Sequence, residues 1–363
     1  MKILFLTNLL SPYRVEWLNL LAEHNSLDAY YLSASEKTRT EEWLSSRKPV
    51  FQTFAVESDK AFFDTLKKQD YDIYIIDGYS SSIKLKALKM LKSRGKSIFI
   101  NIDGVDIWRP RSKTDWIKDK IKQRVFRSGA TFLCGSHIAA QTVINGGCPE
   151  DRVFVHPFTS LHTQDIIEAE NKPTLQQQWK KQLQKEDKKI ALAVGRFIPL
   201  KQYDRLIQAW KDMPDDCYLY IIGGGEERAC YEELIQRLNV RNIELIDFLL
   251  PEKLNEYFRA ADLFVHPSST ETWGLVLNEA MANGCPCIAT DHCVGGVELI
   301  EEGKEGFLIK VGDVEDLHDK MVRILTDDPL RAAMAENAVK KIQPYTYENM
   351  AALHLKIFQD TMR

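Results

Sequence analysis

The feature that most constrains this chain is a pattern that runs, stops and starts again. Short continuous apolar runs at residues 2–7, 27–32, 71–76, 97–101, 130–134 and 153–156 alternate with helical periodicity, as at 14–24, where Val15, Leu18 and Leu21 recur. Strands that are apolar on both faces and separated by helices belong to a parallel sheet covered on both sides. Residues 165–188 interrupt the pattern: they are polar, rich in Gln and Lys, carry no strand signal, and read as a linker. Apolar runs then resume at 190–194, 218–222, 243–246, 263–266, 287–289 and 306–309, again with helices between them. One of those helices opens on Pro251 and sets Leu254, Tyr257, Phe258 and Ala261 in a single stripe. The expected fold is α/β, with two Rossmann-like doubly wound domains over 1–165 and 166–346, facing each other across a cleft at the carboxyl ends of the strands. The last helical stretch, 347–363, could join either domain.

Composition narrows the partners. The 363 residues hold 48 Lys and Arg against 52 Asp and Glu, a net charge of −4, so nothing global calls for nucleic acid. The halves differ: residues 1–165 carry 24 basic against 19 acidic side chains, and 166–363 carry 24 against 33. A basic first half suits an acidic or membrane surface. No apolar run approaches the ~20 residues of a membrane span, and the opening Met1-Lys2-Ile3-Leu4-Phe5-Leu6-Thr7-Asn8 reads as a strand rather than a signal peptide. Seven cysteines without a C-x-x-C pair read as buried, reduced thiols of a cytoplasmic protein, and no metal spacing is present.

The most informative segment is His266-Pro267-Ser268-Ser269-Thr270-Glu271-Thr272-Trp273-Gly274-Leu275-Val276-Leu277-Asn278-Glu279-Ala280-Met281-Ala282-Asn283-Gly284. A buried strand ends at His266-Pro267, a polar loop carries Glu271, and a helix runs from about Gly274 to a stop at Gly284. Carboxylates accept bidentate hydrogen bonds from vicinal hydroxyls, so Glu271 and Glu279 suit a ribose or a hexose. The free amides of Gly274, Leu275 and Val276 form an anion site, as helix starts do. After the second domain's first strand, Gly195-Arg196-Phe197-Ile198-Pro199-Leu200-Lys201 places two cations five apart, a clamp for a diphosphate. The next strand ends in Gly223-Gly224-Gly225, where backbone near Gly224 could approach a ligand. Three such features at three strand ends point to phosphate plus polyol: a nucleotide sugar.

These residues resemble the retaining glycosyltransferases of family 4, which have the GT-B fold. The likeness is carried by Glu271 to Glu279 in their His-Pro-Ser setting, by Gly195-Arg196-Phe197 with Lys201, and by Gly295-Gly296-Val297-Glu298; it is close over 190–310 and loose before 160. It implies that Arg196 and Lys201 hold the donor diphosphate, Glu271 lies by the transferred sugar, Glu279 binds the ribose, and no metal or other cofactor is needed. It departs from the family at Gln202, where a small residue is usual. It departs again at Leu10-Ser11-Pro12-Tyr13-Arg14 in place of a glycine-rich loop, and at the missing proline before Glu298.

In the first domain, Asn101-Ile102-Asp103-Gly104-Val105-Asp106 follows a buried strand. Asp103 is the second candidate catalytic residue, able to accept from an incoming hydroxyl; a turn-forming Asp-Gly is the plainer alternative. His137 reads as a helix-start residue and His156 takes no role. Basic stretches at 83–96 (including Lys84, Lys86 and Lys89) and 116–127 suit an anionic membrane carrying a glycan or lipid-linked acceptor, or simply a solvated helix face. The expected activity is retaining transfer of a hexose-type sugar by same-face attack, the leaving phosphate taking the acceptor's proton, in cell-surface polysaccharide or glycolipid synthesis. The rivals are a catalytically silent nucleotide-sugar-binding protein of the same fold and a nicotinamide oxidoreductase. The latter lacks the G-x-G-x-x-G it would need after the first strand.

Overall fold

The structure is a computed structural model that describes residues 1–33, 46–105, 107–108, 112–113 and 115–362. The chain forms two compact units. Unit 1 comprises Met1–Val105, Pro110–Thr159 and Tyr345–Arg363; unit 2 comprises Asp106–Arg109 and Ser160–Pro344.

Unit 1 is built on a seven-stranded sheet of β1 (Lys2–Thr7), β2 (Ser26–Tyr31), β3 (Gln52–Ala55), β4 (Ile73–Asp77), β5 (Ile98–Ile102), β6 (Thr131–Cys134) and β7 (Val153–Val155). The order is β3-β2-β1-β4-β5-β6-β7 and every pairing is parallel. Alternation along the strands sorts the apolar side chains to two faces. Ile3, Phe5, Ile73 and Ile75 pack with Trp17, Leu18 and Leu21, while Leu4, Leu6, Tyr74 and Ile76 pack with Phe62, Leu66 and Leu91. Strand β3 has no counterpart in the sequence pattern. It is an exposed edge strand, and an edge strand buries too little to need an apolar run.

The final helix, Tyr347–Met362, belongs to unit 1: Tyr347, Met350, Ala351, Ile357 and Phe358 join the Ile3–Phe5–Trp17 core. It also buries His354 against His156, with ring centroids 4.7 Å apart and no hydrogen bond to either ring's nitrogens among the described residues. Burial pushes the His156 pKa down to about 3, and burial beside His156 holds His354 well below its usual value.

Unit 2 carries a six-stranded parallel sheet of β8 (Lys189–Val194), β9 (Cys217–Ile222), β10 (Ile243–Ile246), β11 (Leu263–His266), β12 (Cys287–Thr290) and β13 (Gly306–Ile309), in the order β10-β9-β8-β11-β12-β13. The linker expected at 165–188 is instead largely a packed helix, Lys172–Gln182. Two of its three lysines are buried. Lys172 Nζ donates to the carbonyls of Ala261 (2.9 Å) and Arg259 (3.2 Å) at the end of the Pro251–Ala260 helix, and Lys180 pairs with buried Asp262 at 2.6 Å. A cation at a helix carboxyl end is favourable, so a Lys-rich helix can seal a core that its composition seems to avoid.

Both sheets reverse strand order beside their first strand, between β1 and β4 and between β8 and β11. The crossovers on either side leave for opposite faces, so a crevice opens at the carboxyl ends of those strands.

Candidate active site

In unit 2 the loop after β8 is fastened to the end of β9. Gly195 N donates to Ile222 O (3.0 Å) and Phe197 N to Gly224 O (2.8 Å). The approach is too close for side chains: a Cβ on Gly223 would lie 1.9 Å from Gly195 O, and one on Gly225 2.3 Å from Phe197 O. Two of the three glycines therefore serve loop-to-loop packing. Gly224, also exposed, is the one with open space where its Cβ would stand.

This loop separates the two cations. Buried Phe197 anchors it, and Arg196 points outward, exposed and without a side-chain partner among the described residues. Lys201 closes a 3-10 turn, Pro199–Lys201, and its ammonium is bonded to the Glu271 carboxylate. The turn then needs a left-handed residue, and Gln202 supplies it at φ +49°, ψ +37°. Glycine, without a Cβ, would meet that requirement with less strain.

Glu271 sits in the loop after β11. Its backbone is stitched to the segment after β12 by Glu271 N to His292 O and Val294 N to Glu271 O, both 3.0 Å. The pair Gly295-Gly296 lets that segment approach, since a Cβ on Gly295 would stand 2.2 Å from Trp273 O. Trp273 is buried and donates Nε1 to Asn278 Oδ1 at 2.8 Å, which ties the loop to the following helix, Leu275–Ala282. Beside Glu271 stands His266, 1% exposed, its Nε2 3.6 Å from Glu271 Oε2 and 3.2 Å from Ser268 Oγ. Burial opposes the Glu271 charge, but the His266 hydrogen bond and the Lys201 ammonium outweigh it and hold the carboxyl far below the usual range. Burial and the Lys201 charge lower the His266 pKa against the pull of the Glu271 carboxylate.

The Leu275–Ala282 helix starts on Gly274 at φ +90°. The amides of Leu275 and Val276 have no partner among the described residues, so the positive end of the helix is open. Glu279, one turn on, is served by a different residue from Glu271: Ser160 Oγ donates to its Oε1 at 3.0 Å. Burial, with Asp165 adding negative charge, raises the Glu279 carboxyl to about 7. The two glutamates thus sit in opposite electrostatic settings, one firmly ionised and one on the edge of protonation.

Asp103 lies in unit 1, just past β5, and is not a simple turn residue: its carboxylate pairs with Arg14 at 2.5 Å. Arg14, at the start of the Pro12–Ala22 helix, is committed to two carboxylates and is not free for a phosphate. His137 opens the His137–Asn145 helix and is exposed. Asp106, the end of the run that drew attention to Asp103, lies outside the described residues. Lys84 corrects the basic-stretch reading: it is 1% exposed and donates to Asp77 O, because the Ser82–Ser93 helix turns that position toward the sheet.

Residues 176–341 match the family model described as glycosyl transferases group 1. This part of the chain belongs to that family. The group 1 module is 35% identical over 172 residues to a D-inositol 3-phosphate glycosyltransferase of Corynebacterium urealyticum, spanning 46% of this chain and 40% of that protein. It is 31% identical over 183 residues to an N-acetyl-alpha-D-glucosaminyl L-malate synthase of Bacillus anthracis, spanning 49% and 47%. The alignments thus cover less than half of either relative. Among solved structures, Anabaena HepE in complex with UDP has a TM-score of 0.78 at 18% identity over 99% of this chain and 100% of that one. A sucrose-phosphate synthase from Thermosynechococcus elongatus has 0.79 at 18% over 99% of each. At that identity the likeness speaks for the fold, GT-B, and for nothing finer.

Within the module, sequence reasoning singled out Arg196, Lys201, Glu271, Glu279 and the helix start. It passed over His266 and Ser268 although they stand in the same motif, because a histidine ending a buried strand looks like core. Ser160 carried no signal at all: it meets Glu279 only through the fold, 119 residues away.

Proposed function

We propose that this protein transfers a hexose-type sugar, with retention of configuration, from a nucleoside-diphosphate sugar to an acceptor hydroxyl. The observation that carries the reading is the company at the β8–β11 switch point: an exposed unpaired Arg196, a Lys201–Glu271 pair and the open amides of Leu275 and Val276. Cations and helix amides aimed at one place suit a leaving diphosphate, and they supply its charge compensation without a metal. Glu279 takes the ribose diol in this scheme.

The state of Glu271 supports same-face attack. A carboxylate held so far below its usual pKa is a weak base and a weak nucleophile, so it steadies the sugar and Lys201 instead of bonding to carbon. The bond from the anomeric carbon to phosphate oxygen breaks, the bond to acceptor oxygen forms, and the acceptor's proton passes to the phosphate oxygen. Asp103 in unit 1 receives a hydrogen bond from the acceptor.

The acceptor is proposed to be a glycan or lipid-linked sugar at an anionic membrane. In the Asp115–Phe126 helix of unit 1, Trp116 and Ile117 are 57% and 45% exposed beside exposed Lys118, Lys120 and Arg124, and Lys120 Nζ lies 4.8 Å over the Trp116 ring. Exposed aromatic and basic groups on one helix suit a headgroup layer. No helix among the described residues is long and apolar enough to cross a membrane.

The decisive experiment is a panel of uridine, guanosine and adenosine diphosphate sugars screened for binding and slow hydrolysis by the purified protein. One donor bound and hydrolysed supports the reading; binding without hydrolysis or transfer indicates the silent binder; no binding removes it. Co-sedimentation with vesicles with and without anionic lipid tests the membrane contact, and absence of binding ends that part.

A further inference from the structure

Unit 1 has a switch point of its own, between β1 and β4, and a polar cluster fills it. Thr7, the last residue of β1, donates Oγ1 to Asp77 Oδ2 at 2.7 Å; Asp77 is the last residue of β4. Arg14 places one guanidinium nitrogen between two carboxylates, 2.9 Å from Asp77 Oδ1 and 2.5 Å from Asp103 Oδ2. Asn101 of β5 does the same with its amide, 3.1 Å from Asp77 Oδ1 and 2.6 Å from Asp103 Oδ1. Lys84 lies beneath, bonded to the Asp77 carbonyl.

The cluster has an inner and an outer carboxylate. Side-chain exposure is 8% for Asp77 and 21% for Asp103, so only Asp103 presents itself to a ligand. Two buried polar atoms in the cluster, Asn101 Oδ1 and Arg14 Nε, make no hydrogen bond among the described residues. Buried polar atoms are nearly always paired, so Asn101 Oδ1, beside Asp103, is suited to an incoming hydroxyl. The charges balance within the group, two carboxylates against Arg14 and Lys84, yet they are shared unequally. Burial and the Asp77 charge raise the Asp103 pKa against Arg14, whereas for Asp77 the effect of burial is outweighed by Arg14, Lys84 and its hydrogen bonds, and its pKa is lowered. If the pair takes up a proton, it goes to Asp103.

We propose that Asp103 is the hydroxyl-binding carboxylate of unit 1 and that Arg14, by bridging it to Asp77, is the positioning residue that keeps it ionised and aimed. A parallel sheet binds ligands at its switch point, and here the arginine stands where a glycine-rich phosphate loop would otherwise be. The ligand class is a polyol, the acceptor's own ring; this assignment rests on the proposed sugar transfer. Arg14 itself touches no substrate in this scheme. It offsets the repulsion between two carboxylates that must lie side by side.

The test follows the Asp103 carboxyl directly, in the full chain labelled with carboxyl-13C aspartate, Asp103→Asn identifying its signal. Arg14→Gln removes the shared cation and is expected to raise the Asp103 midpoint by a unit or more, a tenfold change in proton affinity, while Arg14→Lys keeps it within about half a unit. Asp77→Asn removes the like charge and should move the midpoint the other way, which keeps the test alive should Arg14→Gln not fold. In parallel, UDP-glucose turnover with water as acceptor should show its acid limb moved upward in Arg14→Gln, with kcat lowered about tenfold and KM unchanged. A midpoint that stays put in both Arg14→Gln and Asp77→Asn overturns the inference. A wild-type protein that binds none of the nucleotide sugars of the donor panel overturns the donor reading instead, and the carboxyl titration still decides the role of Arg14.

Discussion

Glu279 makes the sharpest test of the donor site. Its carboxyl sits at about 7 in the folded protein against an ordinary 4.5. At 1.36 kcal/mol per unit, the ionised form is disfavoured by about 3 kcal/mol relative to the unfolded chain. A ribose diol donates two hydrogen bonds and favours the ionised carboxylate, so donor binding must expel the proton. At pH 6 about a tenth of Glu279 is ionised and at pH 8 about nine-tenths, so affinity for the nucleotide sugar that the donor panel identifies should rise about tenfold over that span. The sugar nucleotide is itself a diphosphate diester with no titration in this range, which leaves the carboxyl as the source of the slope. Calorimetry at pH 6, 7 and 8 in two buffers of different ionisation enthalpy reads both the affinity and the proton released, close to one per site at pH 6. Glu279→Gln should bind more weakly at pH 8 and lose the slope. Its stability should exceed that of the wild type at pH 8 by up to about 3 kcal/mol, with the gap shrinking to about 1 kcal/mol or less at pH 5, because the penalty builds up from the unfolded pKa and is complete only above the folded one. An affinity flat from pH 6 to pH 8 in the wild type, with no proton released, refutes the reasoning.

Other substitutions separate binding from folding. Arg196→Ala removes an exposed, unpaired cation, so unfolding should change by less than about 0.5 kcal/mol while donor affinity falls ten- to a hundredfold; near-normal turnover in both Arg196→Ala and Glu271→Ala would remove the site assignment. Lys201→Ala leaves Glu271 without its main cation and should lose stability as well, by about 1–3 kcal/mol in urea unfolding. Gln202→Gly relieves a left-handed conformation and should gain roughly 0.5–1 kcal/mol; an equal loss would mean that the Gln202 side chain holds the loop. His156 and His354 stay neutral in the fold but take up protons when unfolded, so stability present above pH 6.5 is lost on acidification, by roughly 2 kcal/mol per histidine at pH 5. His354→Phe should halve that loss, measured as the difference in urea midpoints between pH 7 and pH 5.

Much of unit 2 was legible because its chemistry is local. A loop that must carry Arg196 and Lys201, or a helix that must begin at Gly274, leaves residue types at fixed spacings along the chain. Unit 1 was legible as a sheet but not as a site. Its cluster draws Thr7, Arg14, Asp77, Lys84, Asn101 and Asp103 from three strands, two helices and the loop after β5, and no single stretch contains enough of it to be noticed. Lys84 shows the point: in sequence it is one more lysine in a basic helix, and in the structure it is buried beneath Asp77.

The amino-acid order by itself determined the two parallel sheets, since a doubly buried strand must be apolar throughout and a covering helix must be apolar on one side. It also set the spacing of Arg196 and Lys201 in one loop and the start of a helix at Gly274. Only the tertiary structure decided which carboxylates would hold a proton, that the Lys-rich 172–182 segment seals a core, and that the last helix closes unit 1. Those outcomes depend on burial and on partners brought from distant parts of the chain, and neither quantity is written in the spacing of residues.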